Sequence, residues 1–472
     1  MSNLIDEIYN ISQVKDIIEN YKKISPVFLH GLTDQSKSHV FATIYKKINK
    51  TIVIICEDEK NAQNMCEDIN SLVEDKCLYF PSTEVNFYNI KNLEKNNQIN
   101  RLEVLTKIIN KDNLIITTTL DALRNKLTTK EIFEKKSFKI SIDDEIEIKE
   151  LKNYFIELNY EFTKLVESKG EFSIRGSIID FWPIEYENPI RIELFDTEID
   201  SIRFFDKDSQ RSLGNINEIL VRPSKELIYE KSDYENTIKL INKEIDNISN
   251  NLGLNKLKDK YIQIISYLKD SLYIANDDLI TPYRIDNYSS FFDYIDKDSI
   301  FIFQDLNRAI ENFKNIRDKF DLDLTNQIES GEVFSSFKNI KIDFNKILTN
   351  IKSYPVINSS SLLKNNEIIK AKKIIELQSI EQENFNKNVN YFVDTIKNIL
   401  KNKEKAYIFT SDEKSFENIK NIFDENNIFN YSTEFEDKDN KKDLILTDKN
   451  LSTGYIFTDY IVNVFSYKDI FG

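Results

Sequence analysis

The chain has 472 residues, 40% hydrophobic and 30% charged, a length that fits roughly two to four globular domains rather than one core. Lys and Arg number 64 against 79 Asp and Glu, and the net charge of −15 excludes a chain that grips nucleic acid over its whole surface, leaving only a local basic patch open. No apolar run reaches the roughly 18 residues of a membrane span, and the polar start MSNLIDEIYN lacks the features of a signal peptide, so the expected location is the cytoplasm.

The predicted elements begin as α/β. Thr51–Cys56 (TIVIIC) is a short β-branched run, suited to a strand buried on both faces of a parallel sheet. A helix with Ala62, Cys66, Ile69, Leu72 and Val73 on one face follows, then a strand at Leu78–Pro81, a helix at Arg101–Ile109 and a strand at Leu114–Thr119. This alternation predicts a doubly wound sheet. From Phe138 the period drops to two: Phe138, Ile140 and Ile142 alternate, as do Phe172–Ile179 and Ile190–Phe195, around turns at Trp182-Pro183 and Asn188-Pro189. That pattern predicts a small antiparallel sheet with one open face. Helix dominates after Pro223, with Ile238, Ile241, Ile245, Ile248 and Leu252 in one stripe. Ile300–Phe303 (IFIF) is a buried strand that can return the chain to the first sheet. A fresh start near Ile347 leads to strands at Ala406–Phe409, Leu444–Leu446 and Ile461–Phe465. The expected organisation is an α/β domain from 1–137 and 223–345, a small α+β domain inserted at 138–222, and a separate small α/β domain at 346–472. The stop at Gly472, just after a strand, suggests a piece of a longer protein.

Little in the sequence carries chemistry. Three cysteines (Cys56, Cys66, Cys77) and two histidines (His30, His39) fit neither a disulfide framework nor a metal site, so no metal and no catalytic residue is expected. His30–Ser38 (HGLTDQSKS) approaches the phosphate loop G-x-x-x-x-G-K-[ST]. Gly31, Lys37 and Ser38 are in place, but Ser36 stands where a second glycine lets the backbone wrap phosphates. The only candidate magnesium carboxylates, Asp143-Asp144-Glu145, read as a surface turn. The expectation is a degenerate loop that binds no nucleotide.

Gly170–Leu213 reads GEFSIRGSIIDFWPIEYENPIRIELFDTEIDSIRFFDKDSQRSL. In Ile190–Phe195, Ile190, Ile192 and Leu194 share the core face, and Arg191, Glu193 and Phe195 share the other. On pattern alone, Phe195 lying under another element and Arg191 pairing with an acid is slightly favoured over a binding surface. Trp182 reads as a partly buried packing residue.

The motif G-x-F-x-x-R-G, then I-D-x-x-P, then P-x-R-x-E-x-F-x-x-E-I-D-S-I-R resembles the UvrB-homology module. Its ending, Asp206–Leu213, is similar to bacterial transcription-repair coupling factors rather than to UvrB. The degenerate loop and Arg101-Leu102-Glu103-Val104-Leu105 resemble further blocks of that family's N-terminal half. The resemblance is strong over about 30–220 and weaker to 472. It implies a degenerate RecA-like domain with an inserted UvrA-binding domain, and it places Arg175, Arg191 and Phe195 on the UvrA-contacting positions. It also implies recruitment of UvrA to stalled RNA polymerase without ATPase activity in this segment. In the family, RNA polymerase, DNA, ATP and magnesium are engaged by parts whose motifs are not seen here. The alternatives are a UvrB-like ATPase acting on damaged DNA and a DNA-binding module.

Overall fold

The computed structural model describes residues 3–74, 76–83, 92–228, 231–247, 254–269, 279–283, 288–363, 367–433, 442–460 and 462–472. Four strands come first: β1 (Val27–His30), β2 (Ile52–Cys56), β3 (Cys77–Phe80) and β4 (Ile115–Thr119). Helices Asp34–Ile48, Glu59–Asn70 and Asn92–Ile109 separate them, the crossover connections that parallel neighbours require. Eight further strands follow: β5 (Phe138–Ser141), β6 (Glu161–Phe162), β7 (Glu171–Arg175), β8 (Ile178–Phe181), β9 (Ile190–Phe195), β10 (Glu198–Phe205), β11 (Ser212–Ile216) and β12 (Glu218–Val221). The chain then returns through β13 (Ile300–Phe303), β14 (Val356–Ser360) and β15 (Lys373–Glu376). These three join the first four in a seven-stranded parallel sheet, β15-β1-β14-β13-β2-β4-β3.

Every residue of β2, β4, β13 and β14 is buried, because both faces of this sheet are covered. Ile52, Ile54 and Cys56 join one apolar cluster and Val53 and Ile55 the other. A long helix, Leu306–Glu329, leaves the second cluster at Ile310 and Phe313 and reaches a helical cluster through Leu324. Ile241 and Ile245 of the expected stripe pack there on Tyr261 and Ile264. Ile248 and Leu252 lie outside the described residues.

The segment between β4 and β13 holds a six-stranded sheet, β11-β10-β9-β8-β7-β6, antiparallel except where β6 runs with β7. The strands β5 and β12 pair beside it. Leu151 and Phe155 of helix Ile148–Glu157 cover its inner face, meeting Phe172, Ile179, Phe181, Ile190 and Ile192. The burial of β9 alternates from Ile190 to Phe195, so its other face is open.

The last strands are β16 (Ser379–Glu381), β17 (Lys405–Phe409), β18 (Tyr431–Ser432), β19 (Leu444–Thr447), β20 (Tyr455–Phe457) and β21 (Val462–Ser466). They form a mixed sheet, β16-β20-β21-β17-β19-β18. Two expectations need correction here. Residues 346–376 do not open the last domain: β14 lies between β1 and β13, and β15 forms the edge beside β1. The strand β14 (VINSS) carries polar residues where a buried strand is expected to be apolar, and the fold pairs two of them. Asn358 accepts from the Leu306 amide and Ser360 donates to Asp305. Nor is the last domain separate. Tyr407, Phe409, Tyr455, Phe457 and Val464 share one cluster with Leu29, Val40, Ile44 and Ile54, so a single helical layer packs between the two sheets.

Candidate functional site

The phosphate-loop lookalike is filled by the chain itself. Only Gly31, Leu32 and Thr33 separate β1 from a helix that starts at Asp34, so Ser36 and Lys37 lie in a helical turn rather than in a loop. The Lys37 ammonium donates to Asp34 (2.7 Å) and to the Gln304 carbonyl (3.1 Å) and is buried. Ser36 Oγ meets Ser379 Oγ at 2.7 Å, and the Thr33 amide donates to the same Ser379 (2.8 Å). Ser38 Oγ donates to the Gln35 carbonyl. Gly31, at φ 96°, is crossed so closely by residue 377 that a Cβ would lie 2.7 Å from its carbonyl oxygen. The Thr33 amide, one of those that would cradle phosphate, and the lysine that would reach it are thus committed to protein groups. Asp143, Asp144 and Glu145 sit on the inserted domain, where the Asp144 carboxylate accepts from the Ser141 amide and residues 143–146 bond to β10.

The open face of the six-stranded sheet is built differently. Register places Arg203, Arg191, Asp180 and Ser173 in one row across β10, β9, β8 and β7. The next row carries Ser201, Glu193, Ile178 and Arg175. Asp180, only 1% exposed, accepts from Arg191 Nε (2.6 Å) and Nη2 (2.9 Å) and from Arg175 Nη2. Arg191 also donates to Gln210 (2.8 Å), and its guanidinium lies 4.5 Å from the Phe205 ring centre. Its hydrogen bonds to Asp180 push its pKa further up. Arg203 binds Glu193 and holds that carboxyl below its usual range. The result is an ordered polar surface with one net positive charge among Arg175, Arg191 and Asp180.

Two tight turns shape the edge of this surface. The β7–β8 turn at Gly176 (φ 63°) and the β9–β10 turn at Asp196 (φ 59°) use left-handed backbone at the same end of the sheet. Phe195, the last residue of β9, is 77% exposed there. Arg175, the last of β7, has a side chain 46% exposed, whereas the Arg191 side chain is 14% exposed. Phe195 is therefore not under another element, and Arg191 does pair with an acid, though it is Asp180 rather than its neighbour Glu193. Trp182 is buried and donates from Nε1 to the Tyr186 carbonyl (3.0 Å), a packing role.

Residues 138–227 match the model of the UvrB interaction domain. Over 451 residues the chain is 26% identical to the transcription-repair-coupling factor of Bacillus subtilis, covering 94% of this chain and 38% of that protein. It is 29% identical over 340 residues to the transcription-repair-coupling factor of Staphylococcus aureus strain bovine RF122, covering 69% of this chain and 28% of that protein. The chain is thus similar to transcription-repair-coupling factors over most of its own length. It spans well under half of these relatives' length. The face just described lies inside the stretch that matches the UvrB interaction domain.

The inserted domain is tied to the first sheet by polar contacts of charged side chains. Arg101 is fully buried, binds both oxygens of Glu226 (2.5 and 3.0 Å) and the Pro81 carbonyl (2.6 Å), and lies 3.9 Å from the Phe80 ring centre. Lys95 reaches Glu171 at 2.7 Å, and Arg222, paired with Glu185 inside the inserted domain, donates to Asn110 outside it at 2.8 Å. Reading the sequence assigned no role to Asp180 or Glu226. The signal for Asp180 was present: a lone carboxylate between the core residues Ile179 and Phe181 must face the open side. Its pairing with Arg191 depends on a register hidden by the connection from 182 to 189.

Proposed function

We propose that this segment docks UvrA on the open face of the six-stranded sheet, and so recruits the excision-repair machinery to stalled RNA polymerase as a binding platform without its own ATPase activity. Arg175, Arg191 and Phe195 form the contact, and the place of action is the cytoplasm. The observation that carries this reading is Phe195, a phenylalanine left 77% exposed at the end of β9, on the sheet face that also carries Arg175 two strands away. Aromatic and arginine side chains so placed are the common anchors of protein interfaces. The match to a UvrB interaction domain supports UvrA as the partner. The occupied lookalike loop supports the absence of nucleotide chemistry, with ATP and magnesium left to other parts of the relatives. The charge of −15 disfavours direct DNA binding. No helix of the described residues is long and apolar enough to cross a membrane.

The test is calorimetric titration of UvrA into the chain and into Phe195→Ala. Phe195 contributes little to the core, so its removal should leave the melting curve nearly unchanged. Affinity should fall by roughly 30-fold, about 2 kcal/mol. Equal binding by the two proteins would remove Phe195 from the interface.

A further inference from the structure

We infer that Asp180 is the positioning residue of the docking face: it fixes both guanidinium groups so that Arg175 is presented to a carboxylate of the partner. The inference rests on the docking reading and deepens it. Asp180 lies between the two arginines in sequence and in space, on the middle strand of the three that carry them. One of its oxygens accepts from Arg191 Nε, and the other accepts from Nη2 of both Arg191 and Arg175. At 1% exposure this carboxylate is shielded from water, which strengthens its hold on both cations.

The two arginines then divide the work. Arg191 gives Nε and Nη2 to Asp180 and Nη2 also to Gln210, and its guanidinium lies near the Phe205 ring. It screens Asp180 and supports its neighbour. Arg175 gives Asp180 a single Nη2 bond and exposes 46% of its side chain. A guanidinium held by one corner keeps N–H groups for a second, planar acceptor, and a carboxylate fits that fork. Two cations on one buried anion leave one positive charge, which the same partner carboxylate neutralises. The partner surface that fits is therefore an acidic side chain beside an apolar recess for Phe195.

The experiment is a double-mutant cycle on UvrA affinity in the full chain. Its members are wild type, Asp180→Asn, the pair Arg175→Gln with Arg191→Gln, and all three changes together, each checked by circular dichroism. Asp180→Asn alone should weaken binding roughly tenfold or more, and should change it by less than about twofold once both arginines are gone. Unchanged affinity in Asp180→Asn overturns the inference. An equal loss on both backgrounds also overturns it, since Asp180 would then serve only the fold. Arg175→Lys supplies an arm that leaves Asp180 in place. A lysine keeps the charge but lacks the fork, so roughly tenfold weaker binding is expected, and wild-type affinity would contradict a positioned guanidinium. Failure of the docking reading looks different: wild type would not bind UvrA, or Phe195→Ala and the arginine pair would bind as wild type does.

Discussion

Buried ionisable groups decide how individual residues respond to conditions, and two of them sit where the helical layer meets the last sheet. His39 is fully buried against Tyr455 (2.6 Å) and Ser71, and burial pushes its pKa down to about 3. The unfolded chain protonates this residue below about 6.5 while the fold resists, so His39 costs stability as pH falls from there toward 3. Asp68 accepts twice from Ser452 (2.9 and 2.7 Å), and burial pushes its pKa up to about 6. Its sign is opposite: the fold holds a proton between about 3.8 and 6 that the unfolded chain has lost, so its contribution fades as pH rises through that window. Asp68→Asn should therefore stabilise the protein at pH 7.5, on the order of 1–3 kcal/mol, with the gain vanishing near pH 4. Denaturant melts at the two pH values check this. A gain that is the same at both would mean Asp68 is not the titrating group. The residue scale also separates the two arginines as probes. Arg191→Ala removes two hydrogen bonds from a buried carboxylate and endangers the fold, whereas Phe195→Ala does not.

At the scale of elements, the lookalike loop shows why a motif needs its backbone. Restoring the missing glycine with Ser36→Gly would not restore phosphate binding, because Asp34, Gln304 and residues 377–379 still occupy the lysine and the loop. A fluorescent ATP analogue with magnesium should show no saturable binding to this variant up to millimolar concentrations. Saturable binding would mean that the serine alone had closed the site. Elements with pure periodicity were legible in the sequence. The buried run Ile52–Cys56, the IFIF of β13 and the alternation of β9 each follow from how many faces are covered. The polar strand β14 was not legible, since Asn358, Ser359 and Ser360 look like a loop until the partners of Asn358 and Ser360 on the neighbouring elements are known. For the same reason the open face could be read from β9 alone, while Asp180 needed the register of β8 against it.

The whole molecule is two sheets and a shared layer of helices with a third sheet projecting from the first. The shared layer explains why residues 377–472 are not a detachable module: their removal would bare Val40, Ile44 and the helices around them where Tyr407, Tyr455 and Val464 now pack. A fragment ending at Glu376 should aggregate or lose cooperative unfolding, and a monodisperse fragment with the full chain's melting point would contradict a common core. By contrast, the open face of the six-stranded sheet depends on its own core around Phe155, Phe172 and Ile192 and on the ion pairs at Arg101 and Lys95 that hold it to the first sheet. The chain thus presents this sheet face on a body whose phosphate-loop lookalike is occupied by its own side chains.

The most direct test of where UvrA binds is hydrogen exchange of the chain with and without saturating UvrA. The turns Gly176–Ser177 and Asp196–Thr197, which bracket Arg175 and Phe195, should gain protection, while β17 to β21 and the His30–Ser38 segment stay as they were. Binding without protection at those two turns, or with protection confined to the other regions, would contradict the assignment of this face as the docking surface.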